Sequence, residues 1–182
     1  RNMKNKLTVK MLVEGGVMLA LAYVLSLVVI FQMPSGGSIT AVSMLPILIY
    51  AVRYGAGPGL FVAIVYGTLQ FILGPKWSFH PVSILFDYVL GFGFLGLAGL
   101  FGKKLLNATL GIVLGIFLRF ASSVISGVVV FASYAPEGQD PLLYSLIYNA
   151  SYMLPEMLLT IAAFAFVYKR LIQPWAAAEA VN

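Results

Sequence analysis

Apolar residues run through this chain in long blocks separated by short polar breaks. A helix needs roughly 20 apolar residues to cross a bilayer core, fewer where a bundle shelters it. On that measure the chain predicts six helices, over about 8–31, 40–53, 58–74, 81–101, 107–133 and 144–170. The second is short and contains Pro46, so it is expected to be kinked or to span only in part. The breaks QMPSGGSI (32–39), YGAGPG (54–59) and YAPEGQDP (134–141) are dense in Gly and Pro and read as turns. The expected fold is an all-α integral membrane protein, one membrane domain over residues 1–182 built as a six-helix bundle.

Composition agrees. Of 182 residues, 61% are hydrophobic and 9% charged, whereas soluble domains carry about a quarter charged residues. Cysteine is absent, which excludes a disulfide framework and thiolate metal ligation. The net charge of +5 does not point to nucleic acid, because the basic residues stand in short clusters between apolar blocks. Arg1, Lys4, Lys6, Lys10, Arg53, Lys103, Lys104, Lys169 and Arg170 fall on one side of the predicted membrane and Lys76 on the other. Six spans with both termini cytoplasmic satisfy that bias. The N-terminal RNMKNKLTVK and the run after it have the charge order of a secretory signal. That run, about residues 11–31, is too long for one and lacks a small-residue cleavage site, so it is read as the first helix.

Four ionisable residues fall inside the predicted spans: Glu14, Asp87, Arg119 and Glu156. A charge at the bilayer centre costs at least ~2.5–3.5 kcal/mol, so each needs a partner or a wet cavity. Glu14 lies within a turn of Lys10 and is expected to be solvated or to snorkel. The others sit on polar stripes at helical spacing. His80, Ser83, Asp87 and Gly91 share a face of the fourth helix, and Arg119, Ser122, Ser126 and Ser133 a face of the fifth, with Ser123 and Gly127 beside them. Ser145, Asn149, Tyr152 and Glu156 share one of the sixth, flanked by Tyr144, Tyr148 and Ser151; Tyr66 and Gln70 form a smaller patch on the third. Such stripes are costly against lipid, so these helices are expected to turn them toward one another.

At 1.5 Å per residue, Asp87, Asn149 and Gly127 lie within ~10 Å of the external helix ends, and Arg119 and Glu156 deeper at similar depth. The expectation is a structural ion pair between Arg119 and Glu156. That leaves Asp87 as the unpaired acid of an outward-facing hollow bordered by Trp77, Tyr88, Phe131, Tyr134, Tyr144 and Tyr148. A carboxylate among aromatic faces suits a flat organic cation. The bland alternative for the aromatics is an interfacial belt.

Other motifs are set aside. GFGFLG (91–96) matches a dinucleotide fingerprint but lies inside a membrane helix, where Gly93, Gly96, Gly99 and Gly102 read as a smooth packing face. The sequons NAT (107–109) and NAS (149–151) fall on the cytoplasmic side and within the membrane. His80 has no companion but Asp87 at ligand spacing, so no metal site or cofactor is expected, and no nucleophile–base pair or nucleotide loop appears. On the first helix, Gly16 and Ala20 form a small-xxx-small face, for internal packing or for docking a separate membrane subunit.

PSGGSI (34–39), HPVSILFDY (80–88), LGLAGLFGKK (95–104), SGVVVFASYAP (126–136) and YSLIYNASY (144–152), at this spacing, resemble the thiamine-specific substrate-binding (S) subunits of energy-coupling-factor (ECF) transporters, the ThiT or YuaJ family. The resemblance spans nearly the whole chain. It implies a bacterial plasma-membrane protein, itself no enzyme, that captures thiamine from outside and works with a transmembrane coupling subunit and two ATPase subunits. It also implies that Trp77, Asp87, Tyr88, Gly127, Tyr144 and Asn149 bind the ligand, and His80, Ser123, Phe131 and Tyr148 are expected to bind it with them. Some members carry Trp where this chain has Phe131 and His where it has Ser123, and the first loop, GGSITAV (36–42), lacks the Trp and Glu that they supply there. A related heterocycle, such as a thiamine precursor, is the alternative ligand; a proton-coupled carrier using Asp87 or Glu156 is the alternative from another class.

Overall fold

In a computed structural model, which describes residues 8–34, 36–175 and 177, the apolar blocks form a helical bundle with one small hairpin. The helices are α1 (Val9–Leu27), α2 (Leu45–Tyr54), α3 (Ala56–Leu73), α4 (Pro81–Gly99), α5 (Leu105–Val130) and α6 (Pro141–Leu171). All but α2 are long and apolar enough to cross a membrane. Arg1, Lys4 and Lys6 of the basic N-terminal cluster lie outside the described residues.

Two boundaries differ from expectation. The first apolar block is not helical to its end: Val29–Gln32 leaves α1 as strand β1 and pairs antiparallel with β2 (Ser38–Thr40). β-Branched and aromatic residues favour that extended form, and the Gly36–Gly37 pair supplies the reversal. The second block shortens to the ten residues of α2. At 1.5 Å per residue that is about 15 Å, half a bilayer core. Pro46 lies in the first turn of α2, where its missing N–H costs nothing, so it starts the helix rather than kinking it. Leu45 to Val52 are all buried, which makes α2 the central element of the bundle.

Two of the predicted glycines let backbones touch. A Cβ on Gly96 would overlap the backbone of Gly59 and Leu60 in α3, and one on Gly99 would overlap the carbonyl of Ala51 in α2. Gly102 is different: it sits at φ +91 in the turn after α4, in open space. Around these contacts Ile47, Leu48, Leu95, Ala98, Ile112 and Phe164 are fully buried, so one half of the bundle is packed solid.

The hairpin covers the other half. Its far end is tied to α6: Thr40 N–H donates to Glu156 Oε2 at 3.0 Å and the Thr40 hydroxyl donates to Oε1 at 2.6 Å. Ser43 Oγ lies 2.8 Å from the same hydroxyl. Between them Val42 holds φ +53, an outlier for a β-branched residue, so the joint of β2 and α2 is strained and kept by these bonds.

Glu14 is not left to solvent as expected. Arg53 Nη1 lies 3.1 Å from its Oε2, which also accepts the Tyr54 hydroxyl at 2.6 Å. The Tyr50 and Tyr66 hydroxyls donate to the Met11 and Ala22 carbonyls, so α1 is pinned to α2 and α3 by polar bonds at both ends. Arg53 also faces the ring of Trp175, which carries Lys103 on it at 3.7 Å.

Gly96→Val is expected to destabilise the protein by about 1–3 kcal/mol through overpacking against α3, read as a lowered thermal midpoint in detergent. Glu156→Leu strips Thr40 of its charged acceptor, a loss of about 1.5–3 kcal/mol per bond. Hydrogen exchange across residues 29–40 should therefore accelerate roughly tenfold or more; unchanged exchange would mean that other contacts hold the hairpin.

Candidate ligand-binding site

Between the hairpin and the solid half of the bundle lies a cavity of about 340 Å³, within the range of small-molecule sites. Its walls come from the end of α1, from α3, α4, α5 and α6, from the hairpin and from the turns that follow it and flank α4 and α5. The stripes predicted for the fifth and sixth helices turn inward: Ser122, Ser126, Ser145, Asn149, Tyr152 and Glu156 are all buried, and Ser122 and Ser126 face α4. Ser145 joins the two helices by donating to the Val124 carbonyl at 3.0 Å. Gly127 explains how they approach so closely, since a Cβ there would overlap the Ser145 hydroxyl. The Asn149 amide donates to the Ser145 carbonyl and accepts the Tyr152 hydroxyl at 2.7 Å, which fixes it at the wall.

Asp87 lines the cavity. Its Oδ2 accepts Ser83 at 2.7 Å and Ser126 at 2.5 Å. Tyr88, beside it, reaches the Pro75 carbonyl with its hydroxyl at 3.2 Å and meets Phe71 edge-on. All six aromatics expected at the hollow (Trp77, Tyr88, Phe131, Tyr134, Tyr144 and Tyr148) border the cavity, as do Ser123 and Gly127. The Trp77 indole lies flat against Gly36, which sits at φ +105 with no room for a Cβ. The Gly37 N–H donates to the Tyr148 hydroxyl at 3.2 Å, so the hairpin turn rests on aromatic rings from two sides.

Three expectations change. His80 is exposed and does not line the cavity; its Nδ1 accepts the Val82 N–H and caps the start of α4. The Arg119–Glu156 ion pair does not form. Glu156 is taken by Thr40, while the Arg119 guanidinium lies 3.7 Å from the Phe92 ring centre with its buried Nη1 unpartnered. Both residues line the cavity instead of locking helices. Finally, α4 is not a regular helix. Residues Ile84–Val89 form a π turn and Phe94–Gly99 a 3-10 turn.

That π turn is why Phe92 was missed. Ser83, Asp87, Tyr88 and Phe92 all line the cavity, although at about 100° per residue they would spread over half the circumference of an α-helix. An α-helical stripe selects His80 and Gly91 instead. Thr40, Ser43 and Met44 were missed for another reason: they reach the cavity from the end of β2 and the turn that leads into α2, too short a stretch for periodicity to mark a face.

Chemically the cavity offers carboxylates held by hydroxyls, a ring of aromatic faces, the side-chain amides of Gln32, Gln70 and Asn149, and one guanidinium. Such a set is chemically suited to a flat organic cation.

A family model described as thiamine transporter protein (Thia_YuaJ) matches residues 12–174. The thiamine transporter ThiT of Bacillus subtilis (strain 168) is 35% identical over 163 residues, which cover 81% of this chain and 84% of that one. ThiT of Lacticaseibacillus paracasei is 31% identical over 134 residues, covering 65% and 67% respectively. A solved structure of ThiT from Listeria monocytogenes matches with a TM-score of 0.78 at 24% identity, over 92% of this chain and 96% of that one, and so shares its fold. With the model spanning nearly the whole described bundle and the Bacillus relative aligned along most of both chains, this protein belongs to the thiamine transporter (Thia_YuaJ) family.

Proposed function

We propose that the protein is the thiamine-binding S component of an ECF-type importer. In this reading Asp87 is the countercharge of the thiazolium, and the rings of Trp77, Tyr88, Phe131, Tyr144 and Tyr148 enclose the heterocycles. Asn149 orients them, beside Ser123 and Gly127. The observation that carries the reading is the Asp87 carboxylate at the wall of an aromatic cavity large enough for one small molecule, in a chain whose named relatives are thiamine transporters. The chain is a multi-pass protein of the bacterial plasma membrane.

The topology we propose is a single six-span domain with cytoplasmic termini, α2 being the short, sheltered span. Its support is the gathering of Arg53 and Lys103 around Trp175 at one end of the bundle, with Lys169 and Arg170 in the last turn of α6. Lys76 stands beside Trp77 at the hairpin end. The chain brings no nucleotide-binding loop, so energy comes from a coupling subunit and two ATPases. Gly16 and Ala20 are exposed on α1, and a Cβ on Gly16 would meet nothing within 4 Å, which leaves a smooth strip for that subunit.

Thiamine should quench Trp77 fluorescence, and Asp87→Asn should weaken binding roughly tenfold to a hundredfold, the loss of a buried charge-assisted contact of about 1.5–3 kcal/mol. Unchanged affinity would remove Asp87 from the site. A pyrimidine half that competes as well as the whole vitamin would favour the precursor as ligand. Gly16→Phe should leave thiamine affinity intact while abolishing uptake by cells that express the partner subunits; normal uptake would place docking elsewhere.

A further inference from the structure

We propose that Ser122 is a positioning residue for the ligand: it holds the π turn of α4 that presents Asp87 to the cavity. The inference rests on the reading of Asp87 as countercharge and assigns how that carboxylate is kept in place.

The hydrogen-bond ladder of α4 shifts register within one turn. Ile84 N–H still bonds the carbonyl four residues back, at His80. Leu90 N–H instead bonds Leu85, five residues back. In an α-helix Leu90 would serve the Phe86 carbonyl. That carbonyl has therefore lost its α-helical donor, and a backbone acceptor inside a membrane bundle needs another partner. The hydroxyl of Ser122, buried on α5, donates to it at 2.5 Å.

Two neighbours make room for the same displaced strand of backbone. A Cβ on Gly91 would come within 2.7 Å of the Phe86 oxygen, and a Cβ on Gly67 of α3 would overlap the Tyr88 carbonyl. One turn beyond Ser122 on the same helix, Ser126 donates to Asp87 Oδ2. Two serines four residues apart thus bind the π turn at two points, one on its backbone and one on its carboxylate. Deleting the first leaves the Phe86 carbonyl better satisfied by Leu90 N–H, which draws the segment toward α-helical register. The side chains on either side of the turn would then be offset by about 100°, and Asp87 and Phe92 would no longer face one cavity.

The test is a double-mutant cycle on the full chain in detergent, with thiamine binding followed by Trp77 fluorescence. Ser122→Ala should weaken binding roughly tenfold in the wild-type background and cause almost no further loss in Asp87→Asn protein, because its effect runs through that carboxylate. A residue that merely stabilised the bundle would cost the same in both backgrounds. Losses that agree within a factor of two, or unchanged affinity in Ser122→Ala, overturn the proposal while leaving the Asp87 reading intact. If Asp87→Asn itself binds normally, the countercharge reading fails and this inference with it. Gly91→Ala crowds the same carbonyl from the other side and should show the same dependence on Asp87, so the cycle can be closed even if Ser122→Ala does not fold.

Discussion

The constraint on which this structure depends is that hydrocarbon offers no hydrogen bonds. Every polar group within the bundle has to find its partner inside the protein. Hydroxyls, amides and charges are distributed along helices that are otherwise apolar, and several of them meet neighbours across helix boundaries. Asp87 is met by serines from two helices, Glu156 by Thr40 from the hairpin, and the carbonyls of Val124 and Phe86 by Ser145 and Ser122. These pairings decide which helix faces oppose one another.

Close packing does the complementary work in the other half. Gly96 and Gly99 bring α4 onto α3 and α2 at backbone distance, and the short α2 is surrounded on all sides. Gly127 performs the same service between α5 and α6, but at the level of the site. Small residues therefore set the spacing throughout, and at the cavity they also bring the serine and asparagine of α6 within reach.

Much of this was legible in the sequence. The helical blocks, the inward-facing stripes of α5 and α6 and the aromatic border all follow from period and residue type, because burial in lipid makes polar positions conspicuous. Three features were not legible, each for a physical reason. An apolar strand and an apolar helix look alike over a few residues, so β1 was absorbed into the first block. A π turn changes the angular step within a helix, so a stripe drawn at 3.6 residues picked His80 and Gly91 where the molecule uses Phe92. Charge attraction between Arg119 and Glu156 is plausible at equal depth, yet Thr40 offers the carboxylate two bonds from closer range, and Arg119 settles on a ring face.

The uneven filling of the bundle has a consequence for traffic. One end of the cavity is covered by a two-stranded flap whose β1 residues are all exposed, and the other end by tightly interlocked helices clasped through Arg53, Trp175 and Lys103. Lifting the flap breaks a few bonds; opening the floor means parting several helices at once. Among the described residues the two covers are therefore unequal, a few hydrogen bonds on one side and several interlocked helices on the other.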